Sequence, residues 1–205
     1  MRMRVIPALL LAALITGLGG CLFDTTLDEQ GGGTMKIESR VSPTDTVDKL
    51  KARYKAPGVE VTKATKDDAN NAVVELTFKD FATLGSARAF ENITFSLSED
   101  RKAGTRTAKA VVKNARPVTL PADQLAYFGK DVKLAITVPG DIVETNGSKS
   151  GKRATWTSPL NTMLGEEAPT FSVTYKHSGP PLGASATGSP AAGTPAAAGT
   201  PAPKK

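Results

Sequence analysis

Few side chains in this sequence are equipped for covalent chemistry, and they lie far apart. Cys21 is the one thiol and His177 the one imidazole in 205 residues. A lone thiol forms no internal disulfide, and one cysteine with one histidine makes no zinc cluster. His177 stands where the patterned region gives way to a Pro/Ala/Gly-rich stretch, so it is expected to be an exposed boundary residue rather than a base or ligand. The carboxylates that come in pairs are Asp67-Asp68, Glu99-Asp100 and Glu166-Glu167. Adjacent acids on a strand point to opposite faces, and all three pairs fall in stretches expected to be solvated turns or loops. A glycosidase would need two carboxylates converging from different segments at about 5–10 Å. Trp156 and the Tyr127-Phe128 pair have the flat faces that stack sugars and lipids. With only 5% aromatic residues, however, core packing claims them first. Asn92-Ile93-Thr94 and Asn146-Gly147-Ser148 match the glycosylation sequon, a short pattern that arises readily by chance. The expectation is of no catalytic residues, no metal site and no cofactor.

The chemistry that remains belongs to Cys21, and the residues before it say which. Arg2 and Arg4 form a basic start, Val5 to Thr16 an apolar run without a charge, and Leu18-Gly19-Gly20 leads into the cysteine. Twelve apolar residues are too few to span a bilayer, which takes about 20. The segment reads as an export signal covering residues 1–20, removed after targeting. Leu18-Gly19-Gly20-Cys21 resembles the lipobox of bacterial lipoproteins, with cleavage between Gly20 and Cys21. The resemblance implies that the thiol carries a diacylglycerol. One acyl chain gives only reversible membrane binding, whereas two or three on one residue make a durable anchor. Leu22 follows where an Asp resembles an inner-membrane retention signal, so in a two-membrane host the outer membrane is favoured.

Net charge is +6, with a pI near 9.4. Of 26 Lys and Arg, two lie in the signal and two end the chain, leaving 22 against 20 acids, a net of +2 for the region between. Both signs are interleaved, without a basic stripe or aromatic platform, which argues against nucleic acid. From Ser178 to Lys205 the residues are almost all Gly, Pro, Ala, Ser and Thr, with no large apolar side chain after Leu182. Such a composition cannot offset the entropy of folding, so residues 178–205 are expected to be a disordered tail. Residues 21–177 are then one lipid-anchored domain, long enough for a modest core built mainly of Val, Leu, Ile and Ala.

The patterning of that domain is mostly of strands. Leu22 to Ser42 reads as a hairpin about Gly31-Gly32-Gly33, which lacks the Lys-Ser/Thr of a phosphate loop. Ser42-Pro43-Thr44-Asp45 has the cap, first-turn proline and acid that start a helix. Val47, Leu50 and Tyr54 share one face, and Pro57-Gly58 stops it, so a helix is expected over about 43–55. Strands are expected at 59–63, 73–79, 93–98 and 105–113, with a short helix within 80–89. Another short helix should run from Pro121 to near Gly129. Val132, Leu134, Ile136 and Val138 give the cleanest alternation, and Asn146-Gly147 reads as a tight turn leading to Thr155-Trp156-Thr157. Phe171, Val173 and Tyr175 close the domain. The expected class is α+β: an antiparallel sheet of sequential hairpins, one clear helix and one or two short ones.

Ala56-Pro57-Gly58-Val59, Phe90-Glu91-Asn92-Ile93-Thr94-Phe95, and Val138-Pro139-Gly140 through Asn146-Gly147 to Thr155-Trp156 resemble the LppM-type lipoprotein domain over about residues 22–175. These motifs are turns and core positions. The resemblance implies an exported, lipid-anchored protein and supplies no catalytic residue. Three functions are carried forward as expectations. The first is a non-catalytic binding module of the cell envelope, held outside the cytoplasm by its N-terminal lipid and touching envelope lipid, cell wall or another envelope protein. The second is a lipid or glycolipid carrier with an apolar cavity. The remotest is a carboxylate-dependent hydrolase.

Overall fold

In the computed structural model the alternating runs form eleven strands in two sheets, and the described residues are 20–114, 117–165, 169–179, 181 and 182. The expected export signal apart from Gly20, the Glu166-Glu167 pair and the residues after 182 that were expected to form a tail lie outside them. The chain order is β1 (Cys21–Leu27), β2 (Gly33–Arg40), α1 (Val47–Tyr54), β3 (Val59–Lys66), β4 (Asn71–Phe78), β5 (Ile93–Asp100) and β6 (Thr105–Val112). It continues with α2 (Ala122–Phe128), β7 (Asp131–Thr137), β8 (Ile142–Thr145), β9 (Ser148–Ser150), β10 (Arg153–Pro159), α3 (Leu160–Leu164) and β11 (Thr170–Lys176). One sheet has the order β3-β4-β2-β1-β7-β10-β9, the other β5-β6-β11-β8. The α+β class and its sheet-dominated character are as expected.

Local hairpins join β1 to β2, β3 to β4, β5 to β6 and β9 to β10. Between β1 and β2, the Asp28 carboxylate accepts from the backbone N–H groups of Gln30 (2.8 Å) and Gly32 (2.9 Å). Gly33 is required there: its φ is +155°, and a Cβ would lie 2.0 Å from the Thr26 carbonyl oxygen. The remaining pairings are long-range. β1 runs parallel to β7, and β11 lies between β6 and β8. The registers carry one inward row across the large sheet, Leu76–Met35–Thr25–Ile136–Ala154, and beside it Val74–Ile37–Phe23–Leu134–Trp156. The facing sheet contributes Phe95, Ala108, Ala110, Phe171 and Val173, all buried.

The helix over 43–55 forms, but it begins at Val47. Thr46 is its cap, accepting at Oγ1 from the Lys49 N–H (3.2 Å), and Asp48 and Arg53 sit at the helix ends that favour their charges. The residues expected to start it are held otherwise. Lys66 Nζ donates to the carbonyls of Ser42, Pro43 and Asp45, and the Asp45 carboxylate takes both arms of Arg53. The stretch expected as a short helix after Asp80 is two 3-10 turns, Phe81–Ser86 and Arg88–Phe90. Phe81, Leu84, Ala87 and Phe90 are buried, and a spacing of three keeps one face inward in a helix with three residues per turn. Their rings tie the layers together: Phe95 stacks edge-on to Phe81 (5.2 Å) and Phe90 (5.4 Å), and Phe90 also meets Tyr54 (5.5 Å) and Phe23 (6.3 Å).

Asn146-Gly147 does not close a hairpin. β8 pairs with β11 in the smaller sheet, β9 pairs with β10 in the larger, and Asn146-Gly147 is where the chain crosses between them.

Candidate functional site

Cys21 is the first residue of β1, an interior strand with β2 on one side and β7 on the other. In register it faces Val132, and it shares a strand face with Phe23, so its side chain leaves the sheet toward the second layer. The thiol is half-covered, and burial raises its pKa above the ordinary thiol value. Tyr54, at the end of α1, lies close by; burial pushes its phenol up to about 12.

Between the layers, next to Phe23 and Val132, lies a small apolar space. Its walls include Phe23, Phe90, Phe95, Leu134, Met163 and Phe171, and no polar side chain lines it. Its volume is only about 20 Å³, about one water molecule's worth. A larger cleft of about 630 Å³ opens beside α1, lined by Lys49, Arg53 and Arg88 together with Asp45 and Glu91, so it carries both signs of charge.

The carboxylates expected in turns have structural partners. Asp67, in the β3–β4 turn, accepts from the Asn71 side chain (2.9 Å) and backbone (2.8 Å), which lowers its pKa. Glu99 lies near the end of β5. It accepts from the Leu182 N–H (2.8 Å) and pairs with Arg106 (3.4 Å) and Arg101 (3.5 Å), which hold its carboxyl below the usual range. His177 departs from its expected exposure: its side chain is 4% exposed, with Nδ1 3.4 Å from Glu29. Gly179 packs against the His177 ring: a Cβ there would lie 2.7 Å from the imidazole Cε1. Among the described residues no three His, Cys, Asp or Glu side chains cluster as metal ligands would.

The aromatics are engaged in packing. Trp156 is buried, edge-on to Phe171 (5.8 Å), and its indole N–H donates to Asn146 Oδ1 (2.8 Å). That oxygen also accepts from the Ser172 N–H (2.9 Å), while Asn146 Nδ2 donates to the Thr170 carbonyl (2.7 Å). Tyr127 and Phe128 are half-buried, 4.9 Å apart, with the Arg40 guanidinium 4.5 Å over the Tyr127 ring. Arg106 was not legible as a core residue. It occupies the inward row of β6 at 1% exposure, and its guanidinium donates to the Glu29 carbonyl (2.7 Å). The only sequence signal was its parity with Ala108 and Ala110.

Two facing sheets, an interior first strand opening on Cys21, and aromatic side chains spent on the core define an α+β domain with its recognisable features in turns and packing. The LppM domain family model matches residues 27–170, and the chain belongs to that family. The solved folded domain of LppM from Mycobacterium tuberculosis is similar at 14% identity, covering 82% of this chain and 96% of that one, with a TM-score of 0.46. A comparison with curated proteins finds no match.

Proposed function

We propose that this LppM-family chain is a lipid-anchored module of the bacterial cell envelope that binds rather than catalyses. The observation that carries the reading is the position of Cys21: the residue expected to be acylated is the first of an interior strand, so the anchor joins the sheet without a spacer. The partners held by Asp67 and Glu99 support the non-catalytic part, because their lone pairs are spent on turn and end structure. Intact-mass analysis of the mature chain tests the anchor, with acylated Cys21 as the expected new N-terminus. An N-terminus elsewhere, or a bare thiol, removes it. Crosslinking on intact cells tests binding. The expected result is capture of a discrete protein, wall fragment or envelope lipid, and no captured partner would count against the reading.

A second reading, a lipid or glycolipid carrier, has one observation in its favour: the wholly apolar space between the sheets. An acyl chain is far larger than that space, so the layers would have to part to admit it. Native mass spectrometry of the Cys21→Ser chain, incubated with envelope lipid extract, should then show a bound species. A chain that stays empty refutes the carrier and leaves the anchored module standing.

A further inference from the structure

We propose that the end of the two-sheet stack carrying Cys21 is a bilayer-contacting face, formed by Val118, Tyr127, Phe128, Arg40 and Lys130 around the anchor. The inference rests on the reading of Cys21 as the lipid-bearing residue and adds which surface lies on the membrane.

A chain of backbone contacts gathers these residues at that end. Cys21 is in register with Val132, and a Cβ on Gly20 would lie 2.6 Å from the Asp131 carbonyl oxygen. Lys130 and, at the end of α2, Phe128 therefore sit beside the anchor. The Lys130 carbonyl accepts from the Leu160 N–H (2.7 Å), which places the start of α3 there. The α3 segment in turn holds the stretch before α2: the Leu164 carbonyl accepts from the Val118 N–H (2.9 Å), and Asn161 exchanges two hydrogen bonds with Leu120.

Val118 is the independent observation. Among the described residues only two large apolar side chains are strongly exposed, Val118 at 49% and Val143 at 56%. Val143 lies on β8 next to Ile142, whose partner Tyr175 is at the opposite end of the stack with Arg106. An apolar side chain held out in water by a backbone bond, at the same end of the stack as the expected lipid attachment point, is suited to the boundary between headgroups and acyl chains. The polar groups nearby have the same suitability. Tyr127 presents an aromatic body, with its hydroxyl donating to the Val41 carbonyl (3.1 Å), and Arg40 spreads over its ring. Aromatic rings with one polar end favour the interface, and Arg40 and Lys130 supply positive charge toward anionic headgroups.

The test uses the full mature chain, acylated and reconstituted in vesicles of phosphatidylcholine and phosphatidylglycerol. Once Cys21 carries lipid, a second cysteine is the only free thiol, so Val118→Cys and Val143→Cys can each take one environment-sensitive fluorophore. Both positions are exposed, so neither label disturbs the core. Brominated acyl chains should quench most of the emission at 118 and shift it to the blue, leaving 143 unchanged. In Val118→Cys chains, Arg40→Gln with Lys130→Gln should reduce the quenching in phosphatidylglycerol vesicles. Unquenched emission at 118, or equal quenching at both positions, overturns the proposal. So does a blue shift that depends on protein concentration without bromine quenching, which would mean that a second copy covers the face. Intact mass measured first separates the two readings, because a bare Cys21 rejects the anchor itself, whereas acylated Cys21 with an unquenched probe rejects only this face.

Discussion

Asn146 joins four strands through one amide: it lies between β8 and β9, binds the indole of Trp156 on β10, and bonds the backbone of Thr170 and Ser172 on β11. Asn146→Ala removes the acceptor of a part-buried indole N–H and of a strand N–H that water can reach, so it should cost about 1 kcal/mol, the net value of a hydrogen bond. The urea midpoint should fall accordingly, and Trp156 emission should change with it. Gly147→Ala should be destabilising as well, because its Cβ would stand 2.4 Å from the indole nitrogen and 2.6 Å from the Thr155 carbonyl oxygen. The pair was visible in the sequence as a turn signal, but its partners, one of them 26 residues away, were not. Glu99 gives a second residue-scale prediction. Its folded pKa is lowered, first by the Leu182 N–H and then by Arg106 and Arg101, so its stabilising contribution is present above its ordinary value of 4.5 and is lost as pH falls through the depressed value. Glu99→Gln should flatten the acid limb of stability against pH, measured by urea unfolding across that range. An unchanged limb would show that Leu182 is not held through this carboxylate.

At the scale of elements, α1 shows how two start signals compete. Ser42 and Thr46 are both good caps, four residues apart, and local sequence favours the first because a proline and an acid follow it. Lys66 settles the matter from another strand by taking the carbonyls of Ser42, Pro43 and Asp45. Thr46→Ala should therefore cost about 1 kcal/mol, the usual value of a lost cap, whereas Ser42→Ala should cost much less. Thermal unfolding of the two variants checks the order, and equal losses would return the start of the helix to Ser42. The strands themselves were legible wherever hydrophobic and polar residues alternate, as at Val74, Leu76 and Phe78. What alternation cannot reveal is which strand lies beside which. The parallel pairing of β1 with β7 is a contact between segments about 110 residues apart, and no local signal encodes it. The outermost strands of the large sheet are unsuited to pairing with a neighbouring chain: β3 is largely polar with Lys63 and Lys66, and β9 is three exposed residues long.

For the molecule as a whole, Tyr54 marks the place where α1, the aromatic cluster and the end carrying Cys21 meet. Its folded pKa is raised to about 12 by burial, so its contribution to stability is full below the ordinary phenol value of 10.0 and is lost as pH rises through the raised value. Tyr54→Phe should retain the fold at neutral pH and lessen the loss of stability on the alkaline side, read by denaturant unfolding at increasing pH. If the alkaline limb is the same in both chains, the phenol is not buried as described. The side of the sheet from which Cys21 leaves was not legible in the sequence, since that depends on the register of β1 between β2 and β7. Cys21 and Leu182 are held in mechanically similar ways. Cys21 opens β1 and Leu182 follows β11, at opposite ends of the stack, and each of these strands lies between two hydrogen-bonded neighbours. A pull applied between Cys21 and Leu182 would run along both strands, loading their ladders in shear. Many hydrogen bonds would then have to yield together, where a strand peeled from an edge gives them up one at a time.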